Sequence, residues 1–155
     1  TADQERAHAK RFYDLLKNLS GTSVKIDGSY PVDHFDGVID LLKAAEHNEM
    51  EEAEDVYQAF GEAAREEGFL EVSSSFLQIA RIEAVHGKRF GRLAEMLEAN
   101  QYFESHKEQV WMCLNCGHIY HGKMAPQVCP VCRHPRGYFI PACLAPYLEP
   151  EFMEK

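Results

Sequence analysis

Two sets of residues in this chain have the types and spacing to do chemistry. Cys113, Cys116, Cys129 and Cys132 form a Cys-x2-Cys-x12-Cys-x2-Cys array. Four thiolates at that spacing bind a tetrahedral metal, zinc or a single iron, and spacing alone leaves the two equal. All five cysteines lie between positions 113 and 143. Cys143 has no partner in the pattern and reads as a bystander. His118, His121 and His134 read as surface groups beside a set that four thiolates already complete. The second set is Glu-x-x-His, present twice as Glu5/His8 and Glu83/His86, with further carboxylates at Glu49 and Glu52. Carboxylate oxygen and imidazole nitrogen together suit iron or manganese.

Three helical segments must position the second set. The first is expected over about 2–19, ending before Gly21. The second is expected from Asp33 or Asp36, either a plausible cap, to Glu67, stopped by Gly68. The third runs from Leu70 to about Glu98. In the third, the three/four stripe reads Val72, Phe76, Ile79, Glu83, His86, Phe90, Leu93, Leu97. In the first it reads Glu5, His8, Phe12, Leu15, Leu19, and in the second Val38, Leu41, Ala45, Glu49, Glu52, Val56, Ala59, Ala63. Each segment thus puts ionisable groups on the face that should be driest. Isolated carboxylates in an apolar interior are costly, and several together repel one another. A pair of bound metal ions resolves the conflict, in the arrangement of the ferritin-like carboxylate proteins: Glu-x-x-His from two helices and single Glu from two others. The segment 5–12 matches 83–90 at Glu, His, Lys, Arg and Phe. By the logic of that repeat, a Glu-bearing helix should precede the first helix as well. The expectation is that such a helix is missing here and that a second chain or segment supplies it.

Composition narrows the classes. The 155 residues carry 16 Lys+Arg against 25 Asp+Glu, a net charge of −9, which excludes a basic nucleic-acid-binding surface. No apolar run approaches the ~20 residues of a membrane span. Thr1–Lys10 lacks the apolar core of a signal peptide. Cysteines in metal spacing, not spread as a disulfide framework, point to the cytoplasm. The composition shift near residue 100 suggests a helical domain at 1–100, a linker at 101–109, a cysteine domain at 110–142 and a tail at 143–155. Trp111, Tyr120, Tyr138 and Phe139 are expected to form a small aromatic core around the thiols.

These residues resemble the rubrerythrin family over about 1–141. Thr1-Ala-Asp-Gln-Glu-Arg-Ala-His-Ala-Lys-Arg11 is similar to its second-helix ligand motif. Ala63-Ala-Arg-Glu-Glu-Gly68 is similar to an interhelical turn, Glu83-Ala-Val-His-Gly-Lys-Arg-Phe90 to its fourth-helix motif, and 111–139 to its rubredoxin-like tail. The implied fold is an all-α ferritin-like four-helix bundle, with three of the helices in this chain, followed by a small rubredoxin-like metal-stapled β domain. The implied activity is a non-haem di-iron peroxidase, reducing hydrogen peroxide to water with electrons passed through an Fe(Cys)4 centre. Its donor would be rubredoxin or an NAD(P)H-dependent reductase, and its assembly a homodimer or larger. The resemblance turns the thiol site toward iron, with zinc a possible substitute, and makes Glu5 and Glu83 bridging carboxylates and His8 and His86 imidazole ligands. It places the remaining acids at Glu52 and Asp55, where the stripe favours Glu49 with Glu52; the resemblance is preferred. Tyr57 follows this pair. Asp55, one methylene shorter than Glu, alters the ligand exchange that the family makes at this acid. The rival readings are an iron-storage or ferroxidase-like protein and a zinc-ribbon interaction module on a helical stalk.

Overall fold

The computed structural model describes residues 1–30, 32 and 34–146. Asp33, one of the two candidate caps, and positions 147–155 of the tail lie outside the described residues. The chain divides into two compact units, Thr1–Ala94 and Glu95–Lys155.

In the first unit, α1 spans Ala2–Leu15 and has Asp3 and Glu5 in its first turn, where carboxylates favour the helix dipole. It is shorter than expected: the last turn tightens to a 3-10 helix at Lys17–Leu19, and Gly21 takes φ +81°. The next helix starts later than either Asp candidate, at α2 (Val38–Glu51), behind an extended Gly37 with no side-chain cap. It continues through a π-helical stretch, Glu52–Val56, into α3 (Tyr57–Glu66). Gly68, at φ +85°, closes this rod: the Phe69 N–H reaches back to the Ala64 carbonyl at 2.7 Å. α4 (Leu70–Glu98) follows.

The π stretch explains a slip in the stripe. An extra residue in one turn rotates everything after it by about 100° relative to a continuous α-helix. Accordingly Ala59 and Ala63 are exposed, whereas Gly61 is buried and Tyr57 and Ala64 are half-buried. Tyr57 joins an aromatic group with Phe12 and Phe76, ring centroids 5.6 Å away from each, and Phe60 packs on Phe76 at 5.4 Å. α4 buries Ile79, Ala80, Glu83, His86, Gly87, Gly91 and Ala94 along one face. Gly87 is there for closeness: a Cβ on it would sit 2.8 Å from the Met50 sulfur of α2. α1 is tied to α4 by Arg11, which donates to Ser75 Oγ and Glu71 Oε1 at 2.8–3.0 Å.

The second unit is a three-stranded antiparallel sheet of order β2-β1-β3, with β1 at Glu104–Cys113, β2 at Ile119–Met124 and β3 at Phe139–Pro141. Residues 104–109, expected to be linker, belong to β1. Their polarity reads as solvent-exposed coil, but Glu104 pairs with Met124 and Gln109 with Gly122 of β2, on either side of a register irregularity. The turn out of α4 is shorter, centred on Asn100 at φ +54°. The core holds Trp111, Phe139, Cys113, Cys129 and Ala125. Trp111 donates its indole N–H to the Gly122 carbonyl at 3.0 Å. Tyr120 and Tyr138, expected in that core, are 37% and 41% exposed and lie at its rim.

Candidate metal centres

In the first unit, Glu83 is fully buried and His86 is 1% exposed, both on α4. Glu5 and His8 come from α1, and Glu49 and Glu52 from the second rod. The geometry is two-sided. On one side, His8 Nδ1 lies 2.9 Å from Glu83 Oε1 and 3.2 Å from Glu5 Oε2. On the other, His86 Nδ1 lies 2.8 Å from Glu5 Oε1, 2.9 Å from Glu83 Oε2 and 3.2 Å from Glu49 Oε2. Glu5 and Glu83 therefore each present one oxygen to each imidazole, and the two rings lie 5.9 Å apart. One imidazole nitrogen carries at most one proton, so His86 Nδ1 cannot donate to three carboxylates. No donor is aimed at Glu83 Oε1, Glu83 Oε2 or Glu5 Oε1, although all three are buried. Close-set imidazole nitrogens and carboxylate oxygens with too few protons to pair them all are a donor set for cations.

Electrostatics agree. Burial, then the charge of Glu5, then Glu49 and Glu52 push the Glu83 carboxyl up to about 8. Glu52 is raised mainly by burial, although the Tyr57 hydroxyl donates to it and opposes the shift. Tyr57 is itself raised, first by burial and then by Glu52. A bound cation would relieve this crowding by replacing the retained proton. Beyond the cluster, His86 Nε2 is 3.1 Å from Gln4 Oε1, which also takes Arg89 Nη1 at 3.5 Å. An acceptor at Nε2 keeps the ring proton there and leaves Nδ1 free to coordinate.

The site thus gathers Glu5, His8, Glu49, Glu83 and His86, with Glu52 beside Tyr57 at its edge. Asp55 is exposed and does not enter it. Taking the acids directly before Val56-Tyr57 places the pair across the π stretch, whose extra residue turns Asp55 outward. The stripe, which marked Glu49 with Glu52, followed the unbroken α2 and matches the geometry. Gln4 was missed; its position next to Glu5 was the one available signal.

The thiol site is built from two matching knuckles. Cys113 N–H donates to the His118 carbonyl and Gly117 N–H to the Cys113 carbonyl, at 2.9 and 2.8 Å. Cys129 N–H donates to His134 and Arg133 N–H to Cys129, at 2.8 and 3.0 Å. Gly117 and Arg133 hold the same left-handed position, φ +76° and +63°. The Cys113–Cys132 and Cys116–Cys129 sulfur pairs are each 3.7 Å apart. A tetrahedron with metal–sulfur bonds of ~2.3 Å has edges of about 3.8 Å, so the four thiols fit one ion. The His134 backbone N–H holds the Cys132 thiol down to about 5. At Cys116 the His118 N–H acts the same way, but burial and the three other thiols outweigh it and push the group up to about 12. His118 and His134, expected at the surface, are half-buried: both supply backbone groups to the knuckles, and the His134 Nδ1 also lies 3.1 Å from the Cys132 carbonyl; His121 is exposed.

Comparison with known proteins follows the same division. Residues 1–94 and 40–114 match the family described as rubrerythrin, and residues 111–140 match the rubrerythrin rubredoxin-like domain. The chain belongs to the rubrerythrin family. It is 43% identical over 141 residues to a rubrerythrin of Porphyromonas gingivalis, covering 91% of this chain and 69% of that protein. It is 37% identical over 139 residues to a rubrerythrin of Nitratidesulfovibrio vulgaris, covering 90% and 71%. Among solved structures it resembles nigerythrin in a partially reduced state, at 25% identity and a TM-score of 0.54, covering 91% of this chain and 66% of that one. The rubrerythrins are oxidoreductases, and both donor sets fit their cofactors: a di-iron pair at the Glu/His cluster and one iron at the four thiols. Among the described residues, no helix is long and apolar enough to cross a membrane.

Proposed function

We propose that the chain reduces hydrogen peroxide to water, H2O2 + 2 e⁻ + 2 H⁺ → 2 H2O, with electrons entering at the thiol site from a reduced external donor. The observation that carries this is the pair of carboxylates, Glu5 and Glu83, each reaching both imidazoles with buried oxygens that no donor satisfies. His8 with Glu52 would hold one iron and His86 with Glu49 the other, with Glu5 and Glu83 shared. A pair of irons held there would supply both electrons that the peroxide O–O bond takes up, with no need to release a one-electron oxygen species.

The protein's own residues do the rest. Gln4 orients His86. Phe12, Tyr57 and Phe76 close one side of the site and limit water. Tyr57 keeps a proton on its hydroxyl, hydrogen-bonded to Glu52, throughout the physiological range. A cleft of about 360 Å³ between α1, α2 and α4, bordered by Thr1, Ala45, Asn48, Glu52 and Phe90, leads to the carboxylates. A further carboxylate-bearing helix, from another segment or a second copy of the chain, would complete the ligand set if it docked over the mouth of this cleft, where Glu5, Glu49 and Glu52 are reached. A homodimer or larger assembly, and a cytoplasmic location in keeping with five free cysteines, belong to the same reading.

The test is direct. The iron-loaded chain is reduced anaerobically and mixed with one equivalent of peroxide. Reoxidation within the mixing time, with return of the red ferric-thiolate colour, is the expected result. A chain that binds three irons yet stays reduced in peroxide overturns the proposal.

A further inference from the structure

We propose that Gln58 is a positioning residue of the Glu/His site, acting through the π stretch between α2 and α3; this rests on the reading of Glu52 as a ligand. In an α-helix each carbonyl accepts from the residue four ahead. At Glu52 the ladder steps to five: the Tyr57 N–H donates to the Glu52 carbonyl. When the ladder returns to its normal spacing, the carbonyl passed over is that of Ala53. Ala53 is 4% exposed, so bulk water is a poor substitute for the lost donor. The Gln58 side-chain amide donates to that carbonyl at 3.1 Å.

Register depends on this bond. With the π stretch in place, Tyr57 faces Phe12 and Phe76 and donates to Glu52. Without it, an ordinary α-helix would turn Val56 inward and carry Tyr57 about 100° away from Glu52. A buried carbonyl with no donor favours that relaxation, because an unmet backbone acceptor costs more than a met one gains. Gln58 is itself exposed and touches neither imidazole nor carboxylate, so its influence on the site runs only through the backbone it caps.

The test uses the full chain and two substitutions. Gln58→Leu keeps the bulk and removes the donor; Gln58→Lys keeps a donor at similar reach. Two quantities are read: amide hydrogen exchange over residues 52–58 in the metal-free chain, and ferrous-iron affinity at the Glu/His site. The red thiol centre serves as internal control. Gln58→Leu is expected to speed exchange across 52–58 and weaken iron binding, each about tenfold, the scale of one lost hydrogen bond. The red centre should stay at one per chain, and Gln58→Lys should restore both values. If the unsubstituted chain loads iron at both sites and Gln58→Leu changes neither quantity, the inference falls and the functional reading stands. If the unsubstituted chain takes iron only at the thiols, that reading falls, and this inference with it.

Discussion

The two metal centres solve one problem in opposite ways. The thiol site is local: its four ligands lie within Cys113–Cys132, and each knuckle supplies the backbone N–H groups its sulfurs need. The carboxylate site is assembled from α1, α2 and α4, with ligands as far apart as Glu5 and His86, and its charges have little besides one another and a bound cation to balance them. A local site should therefore survive damage to the distant one. A non-local site should respond to changes in helix register and to pH.

The largest effect expected follows from Glu83, the most buried of the shared carboxylates. Glu83→Gln keeps the shape and removes an oxygen that faces an imidazole 2.9 Å away. Iron at the Glu/His site should be lost and peroxide-driven reoxidation should fall at least ~10²-fold, the scale seen when a positioned ligand or its support is removed. The red colour should persist at full intensity. In the mirror experiment, Cys132→Ser should abolish the red centre and loosen the second unit while iron at the Glu/His cluster remains. Iron counts and visible spectra of both variants check this; if either substitution empties both sites, the two centres are not independent.

These differences also explain what could be read without coordinates. The thiol array was legible because its information is short-range: fixed spacing, then a Gly after the second Cys. Glu5, His8, Glu83 and His86 were legible because charged residues interrupt apolar stripes on regular helices. Asp55 was misplaced because the π stretch has no hydrophobic signature. Neither Val56 nor Tyr57 announces which of them faces inward, and the deciding partner, the Gln58 amide on the Ala53 carbonyl, is a contact between a side chain and the backbone. Residues 104–109 read as linker because a polar, irregular start to a strand looks like coil until β2, which pairs with Glu104 and Gln109 at its two ends, is known.

A smaller effect separates the sites by pH. In the metal-free chain Glu83 rises from an ordinary 4.5 to about 8, so the folded state holds a proton that the unfolded state has released. Between those values stability must fall as pH rises, since the native state binds the extra proton. The metal-free first unit should melt at a higher temperature at pH 5.5 than at pH 8.5. Glu83→Gln should flatten that slope. Iron loading should remove it too, because the cation takes the place of the proton and releases it to solvent. Calorimetry with and without iron reads all three. A metal-free melting temperature that climbs from pH 5.5 to 8.5 would contradict the crowding of acids around Glu83.

The smallest effect lies inside the thiol site, where the two knuckles differ at one equivalent position. Gly117 adopts φ +76° without steric cost, but Arg133 adopts φ +63° with a Cβ, a conformation that costs L-residues roughly 1–2 kcal/mol. Both knuckles make the same pair of backbone bonds, Cys N–H to a His carbonyl and the left-handed residue's N–H to the Cys carbonyl, so the closed geometry of the second must offset that strain. Gly117→Ala should then destabilise the second unit by about 1 kcal/mol, and Arg133→Gly should change it by less than that, because relief of strain is partly cancelled by the greater freedom of glycine in the unfolded chain. Thermal melts of the iron-loaded chain, followed by loss of the red colour, measure both. If Gly117→Ala proves as mild as Arg133→Gly, the left-handed turn is not what sets the stability of these knuckles, and the metal–sulfur bonds alone hold them closed.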